Sequence, residues 1–203
     1  MSTIALTLET DSVVLPRPVL PPTTTLEQAL KKRHSTRAFL PDALPIETVS
    51  ALLWAGFGIN RRDTGGRTAP SAHNWQEIDV FAVLPEGTFR YDAKGHRLLL
   101  VKAEDLRGAT GMQDFVAPAP LSLVYVADFA RMPEAKPQER DFLAGADAGC
   151  IAQNVYLYCA AAGLACVVRG LIDRRRLAAA LGLAKTQRVA LAQTVGFPAA
   201  TQA

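Results

Sequence analysis

Apolar residues recur along this chain in two rhythms. In "IETVSALLWAGFGI" they fall at Ile46, Val49, Leu52, Leu53 and Phe57, the spacing of one helix face. "LEQALKKR", behind hydroxyls at Thr23–Thr25 that can cap it, predicts a shorter helix before Pro41 and Pro45 break the chain. "EIDVFAVL", "LACVVRG" and "RVALAQTVGF" read as strands, and "PLSLVYVADF", bounded by Pro120 and Asp128, as a strand buried on both faces. "TFRYDAKGHRLLLV" predicts a hairpin turning at Lys94-Gly95. "DFLAGADAGCIAQNVYLYCAAAG" predicts a long helix with small residues at Ala144, Gly145, Ala148 and Gly149, capped by Gly163. "AEDLRGAT" suits a short helix, and "DRRRLAAALGL" a helix started by Asp173. "RRDTGGRTAPSAHNWQ" reads as a loop and "RMPEAKPQER" as a polar connection. Helices and strands are mixed and the hairpin makes the sheet partly antiparallel, so the fold class is α+β: one domain over residues 23–203, after an extended arm over residues 1–22.

Composition narrows the functional classes. Apolar residues make up 49% of 203, which excludes a disordered chain. A net charge of +3, with the cations dispersed, argues against a dedicated nucleic-acid binder. The longest apolar run is too short to span a bilayer, and the first twenty residues lack a signal-peptide pattern. Cys150, Cys159 and Cys166 have no metal or CxxC spacing and read as reduced core residues, which suits the cytoplasm. No cluster has metal-ligand spacing.

Three stretches carry candidate chemistry. In "KKRHSTRAF", alternate residues of an extended chain point the same way, so Arg33, Ser35 and Arg37 converge on one side, with His34 between. Two guanidinium forks around a hydroxyl match phosphate oxygens; the competing reading is a solvated helix end with cations near its C-terminal dipole. In "APSAHNWQE", Ser71, Asn74 and Gln76 can read the edge of a planar heterocycle, or simply cap a strand. In "GLACVVRG", a strand ending at Arg169-Gly170 leaves amides at its tip, and Gly170 allows close approach of a ligand; otherwise this is a strand and a turn. Arg174-Arg175-Arg176 reads as a solvated helix face, His96 as structural, and Trp75 as a packing residue beside the loop.

Taken in order, these stretches resemble the FMN-dependent nitroreductase family. "RHSTRAF" is similar to its phosphate- and ribityl-binding motif, "PSAHNWQ" to its loop beside the flavin ring, "AAGLACVVRG" to the segment near flavin N5, and "VGFP" to its closing strand. "GRTAPSAHNWQE" resembles the branch that includes thiazoline/oxazoline oxidases. The resemblance implies a largely antiparallel sheet flanked by helices. It also implies a homodimer with FMN at the interface, and a ping-pong reaction in which NADH or NADPH reduces FMN and a nitroaromatic, quinone or similar small acceptor reoxidises it. By the same resemblance Arg33, Ser35 and Arg37 hold phosphate and ribityl, with His34 in the same motif. Ser71, Asn74 and Gln76 lie at the ring, and the main chain of Arg169 and Gly170 contacts N5. The family often has a later cation on the phosphate. This chain shows none after Arg188, leaving Arg61, Arg62 and Arg67 as candidates. Two rival functions stand: an oxidase or dehydrogenase acting on a peptide azoline or other small molecule, and a flavin-binding protein without catalysis.

Overall fold

The computed structural model describes residues 11–200; the start of the expected arm, residues 1–10, lies outside that range. The rest of the arm joins the sheet. Strand β1 (Ser12–Val14) pairs antiparallel with β6 (Arg97–Lys102), and Leu15 after it is buried. Helix α1 (Leu26–Lys32) starts at Thr25, whose hydroxyl accepts the Gln28 amide while the Gln28 side chain accepts the Thr25 amide. This reciprocal cap offsets two of the unpaired donors at a helix start. Helix α2 (Ile46–Phe57) follows the two prolines and buries Val49, Leu52, Leu53 and Phe57.

The stretch expected as a loop contains a small hairpin, β2 (Ile59–Arg61) with β3 (Gly66–Arg67), and a 3₁₀ turn at Ala72–Asn74. Next come β4 (Ile78–Leu84) and the hairpin β5 (Gly87–Asp92)–β6, closed at Ala93–His96 as expected. "AEDLRGAT" forms only a 3₁₀ turn at Arg107–Thr110. Strand β7 (Leu121–Asp128) leads to helix α3 (Pro137–Ala162), then β8 (Ala165–Arg169), helix α4 (Arg174–Leu181) and β9 (Gln187–Gly196). The main sheet has seven strands in the order β1-β6-β5-β4-β7-β9-β8, every pairing antiparallel.

Both faces of this sheet are covered, and period-2 alternation sorts the side chains. Ile78, Val80, Ala82 and Leu84 of β4, with Leu121, Leu123 and Tyr125 of β7, meet α2 and α3 in the larger core. Phe81 and Val83, with Val124 and Val126, face Leu177 and Leu181 of α4. That is why β7 reads as an unbroken apolar run. Helix α3 begins four residues earlier than expected. Pro137 sits at its first turn, where no amide is needed, so the proline that reads as a breaker is a start signal. It ends at Gly163, whose φ of 70° is the left-handed cap that glycine supplies without strain. The outer face of α3 is sparsely filled: Phe142 is 76% exposed, and a Cβ at Gly145 or Gly149 would meet nothing within 4 Å. No helix among the described residues is long and apolar enough to cross a membrane.

Candidate functional site

Helix α1 stops where Arg33 leaves helical geometry (φ −60°, ψ 119°), its amide still bonded to Ala29 O. The chain then runs extended along the outer edge of β8. Thr36 N donates to Cys166 O at 3.0 Å, and Leu40 N and Ala38 O pair with Phe197 O and Ala199 N beyond β9. Arg33 and Ser35 point to the same residue, as alternation requires: Ser35 Oγ and Tyr156 Oη are 2.8 Å apart, and the Arg33 guanidinium lies 5.3 Å from the centre of the Tyr156 ring. Tyr156 Oη also accepts the amide of Val168 at 2.9 Å. One phenol therefore ties the cationic strand to helix α3 and to β8. Arg37 is exposed and has no ion pair or hydrogen bond among the described residues. His34 turns the other way, its Nδ1 2.7 Å from Lys32 O, and with Thr36, Cys159, Gly163 and Cys166 it lines a hollow of about 460 Å³.

The loop from Ser71 to Glu77 is held from beneath. Ser71 Oγ accepts the Gln76 amide at 2.8 Å and donates to Glu77 Oε2 at 3.0 Å, while Ala72 N donates to Asp147 of α3 at 2.8 Å. Three non-glycine residues take positive φ here: His73 (50°), Asn74 (56°) and Gln76 (49°). Such positions persist where surroundings over-determine them. Gln76 shows how: its amide nitrogen reaches Gly65 O and Asn74 Oδ1, and its oxygen accepts from Arg67 Nε at 2.8 Å. Arg67 also donates to Phe57 O and lies over the Phe57 ring, so it is committed to this loop. Arg61 is likewise occupied, donating to Arg67 O. Trp75 stacks on His73.

At the third stretch, strand parity separates the two expected residues. Cys166 and Val168 direct main-chain groups outward, to Thr36 and Tyr156. By alternation Arg169, which pairs with Ala192, faces β9, and Gly170 beyond the strand end turns to the open edge. The Gly170 amide carries no hydrogen bond among the described residues, and a Cβ there would meet nothing within 4 Å. The Arg169 side chain is buried (4% exposed). It donates to Thr194 Oγ1 (2.9 Å), Thr110 O (2.7 Å), Thr110 Oγ1 (3.3 Å) and Ser122 Oγ (3.4 Å). Among the described residues no carboxylate pairs with it, and burial alone pushes the guanidinium down to about 10, so it stays charged at neutral pH. Arg174, read as part of a solvated face, instead caps carbonyls of Val189, Gly170 and Ala190 and fixes the turn after β8.

The first and second constellations both rest on α3, but on Tyr156 and Asp147, nine residues apart. At 1.5 Å per residue that is about 13 Å along the helix. Within one chain they do not form a single contact set. Tyr156, Glu77 and Asp147 are the residues that sequence reasoning missed. Only Glu77 stood inside a quoted motif; the others carry no local signal, since their partners lie 121 and 75 positions away.

An antiparallel sheet with a long helix across one face and an extended cationic segment along its edge defines an α+β fold of the nitroreductase type. The profile of the nitroreductase family matches residues 30–197, and the chain belongs to that family. It is 28% identical over 155 residues to nitroreductase MJ1384 of Methanocaldococcus jannaschii, covering 71% of this chain and 78% of that one. Among solved structures, a nitroreductase of Ralstonia eutropha JMP134 is 46% identical, with a TM-score of 0.90 over 94% of this chain and 91% of that one. Two more distant structures share the fold. The microcin synthetase McbBCD complex of E. coli has a TM-score of 0.70, 19% identity, and 91% and 77% coverage. The NADPH:FMN oxidoreductase of Vibrio harveyi, complexed with NAD+, has 0.64, 20%, and 85% and 68%. The chain is thus an oxidoreductase of the nitroreductase family.

Proposed function

We propose that the protein is an FMN-dependent oxidoreductase that takes electrons from NADH or NADPH and passes them to a nitroaromatic, quinone or similar small acceptor, working as a homodimer. The observation that carries this reading is the extended segment after α1. Arg33 and Arg37, without a carboxylate partner among the described residues, flank a serine fixed by Tyr156, beside a β8 end whose Gly170 amide has no hydrogen bond among the described residues and whose Cα side is open. Those residues fit FMN. The guanidiniums and Ser35 would bind its phosphate and ribityl chain, and the Gly170 amide would donate to N5. A bound flavin would supply the hydride and electron transfer between nicotinamide and acceptor. The chain's own part is to orient and to donate hydrogen bonds. A fixed amide at N5 favours the electron-rich ring as a preorganised donor does at a developing anion. The loop of Ser71, Asn74 and Gln76 is anchored on Asp147, about 13 Å along α3 from Tyr156, and in the homodimer read here the loop of one copy completes the site of the other. The thinly filled outer face of α3 is the contact surface this requires.

The test is direct. Purified protein should carry noncovalent FMN, sediment as a dimer, and oxidise NADH or NADPH with a quinone or nitroarene. Absence of flavin, with no uptake of added FMN, refutes the reading. The resemblance of "GRTAPSAHNWQE" to the thiazoline/oxazoline oxidase branch favours a second reading, oxidation of an azoline in a peptide, so an azoline peptide belongs in the same acceptor series. A flavin-loaded dimer inert to every acceptor would indicate flavin binding without catalysis.

A further inference from the structure

Beneath the Ser71–Gln76 loop lies a pair of acids that the proposed reaction does not use. Glu77, at the start of β4, is fully buried, and Asp147 of α3 is 7% exposed. Each carboxyl holds the loop at a different point: Glu77 Oε2 accepts the Ser71 hydroxyl, and Asp147 Oδ2 accepts the Ala72 amide. Glu77 Oε1 is buried and no hydrogen-bond donor of the chain reaches it among the described residues. No cation among the described residues balances the pair. The arginines that reach this loop are spent elsewhere: Arg67 on Gln76 Oε1 and Phe57 O, Arg131 on Gln76 O and Asp79. His73 is turned onto Trp75. From β7, only the Asp128 amide approaches, and it bonds the Glu77 carbonyl.

Two buried carboxyls that anchor neighbouring residues of one loop, without a cation among the described residues and shielded from water, do not both ionise; one of them keeps its proton. We infer that Glu77 and Asp147 share one proton, donated from the otherwise unpartnered Glu77 Oε1 to Asp147, and that this shared proton is what locks the Ser71–Gln76 loop in its positive-φ geometry. The two acids are positioning residues. They touch no substrate, but they set Ser71 and Ala72, and through them Asn74 and Gln76. The direction of titration agrees: burial first, and then the Asp147 charge, raise Glu77 from its ordinary value. The sign follows. With the folded pKa raised, the contribution of the pair is complete at acid pH and is lost as pH rises through that pKa. The loop therefore loosens toward alkaline pH, not acid. Its effect on flavin rests on the function proposed above.

The experiment compares wild type with Glu77→Gln and Glu77→Leu. Gln keeps an acceptor for Ser71 and a permanent donor for Asp147, whereas Leu keeps neither. Without any flavin, infrared difference spectra of wild type against Glu77→Gln across a pH series should show a protonated-carboxyl C=O band in wild type that vanishes at high pH. The melting temperature of wild type should fall over that same pH interval while that of Glu77→Gln does not. With FMN, the wild-type Kd should rise about tenfold per pH unit once the proton leaves, as a one-proton linkage requires. Glu77→Gln should lack that limb. Glu77→Leu should bind weakly at every pH, or fail to fold, either of which agrees. A wild type without the protonated band, or Glu77→Gln as impaired as Glu77→Leu at low pH, overturns the inference. If the flavin-free readouts hold and FMN does not bind, it is the proposed function that fails.

Discussion

Arg169→Ala tests a buried charge that no carboxylate among the described residues balances. The guanidinium makes two short hydrogen bonds, to Thr110 O at 2.7 Å and Thr194 Oγ1 at 2.9 Å, and two long ones to hydroxyls of Thr110 and Ser122. Bonds from a charged donor contribute about 1.5–3 kcal/mol each, so the short pair alone represents roughly 3–6 kcal/mol gross. Against this stands desolvation of a cation with no anion beside it, a cost of several kcal/mol that truncation removes. What truncation leaves is the Thr110 carbonyl without its donor, at about 1–3 kcal/mol, and a cavity between β7, β8, β9 and the Arg107–Thr110 turn. The net expectation is a loss of about 2–4 kcal/mol. For a domain of this size that lowers Tm by roughly 5–15 °C. Arg169→Lys, which keeps the charge but not the fork, should fall between Ala and wild type. Thermal melts and urea denaturation at pH 7 measure both. A Tm for Arg169→Ala within about 2 °C of wild type, at unchanged urea midpoint, would show that desolvation cancels the bonds and that the side chain does not clamp the β8 tip.

Other outcomes follow from the same contacts. Gly111→Ala places a Cβ 2.0 Å from Arg169 Nη1, so it should cost about 1–3 kcal/mol by overpacking, read by denaturant midpoint, and the loss should shrink in an Arg169→Ala background. Arg33→Ala and Arg37→Ala should each weaken FMN binding about tenfold to over a hundredfold in a fluorescence titration of apoprotein, through loss of charge-assisted bonds. Tyr156→Phe removes the hydroxyl shared by Ser35 and Val168 and should weaken FMN by a smaller factor, about two- to tenfold, since the bonds are neutral. His96, held between Tyr91 Oη and Ser50 Oγ, has its pKa lowered by burial, so the folded state resists protonation. Stability should decline as pH falls below the ordinary imidazole value of about 6.5, a limb that His96→Gln lacks in melts between about pH 7 and 5.

The elements were legible because each obeys a local period. The spacing of Ile46 to Phe57 defines α2, and the two-faced runs of β4 and β7 announce strands covered on both sides. The start of α3 was misplaced because Pro137 is compatible with either a break or a first turn, and only tertiary packing chooses. In the candidate site, the alternation of Arg33 and Ser35 was readable and the structure turns both to Tyr156. The convergence of Glu77 and Asp147 was not, since nothing in a β-strand start or in a helix of small residues marks two carboxyls that hold neighbouring residues of one loop. Arg169 combines both cases. Its place at a strand tip was visible, but parity hands its main chain to β9 and the edge to Gly170, and its guanidinium closes contacts over 59 and 25 residues.

The extended segment from Thr36 to Leu40 has one more consequence. β8 is the last strand of the sheet, and an uncovered edge of this kind is a template for pairing with another molecule. Thr36 and Tyr156 occupy the outward groups of Cys166 and Val168, and residues 38–40 cover the chain beyond β9, so the segment proposed to grip the cofactor also guards the sheet against sticking to its neighbours. Changes that pull this segment away, at Ser35 or Tyr156, should therefore raise aggregation as they lower cofactor affinity. Insoluble expression of such variants would report an unguarded strand edge rather than a damaged core.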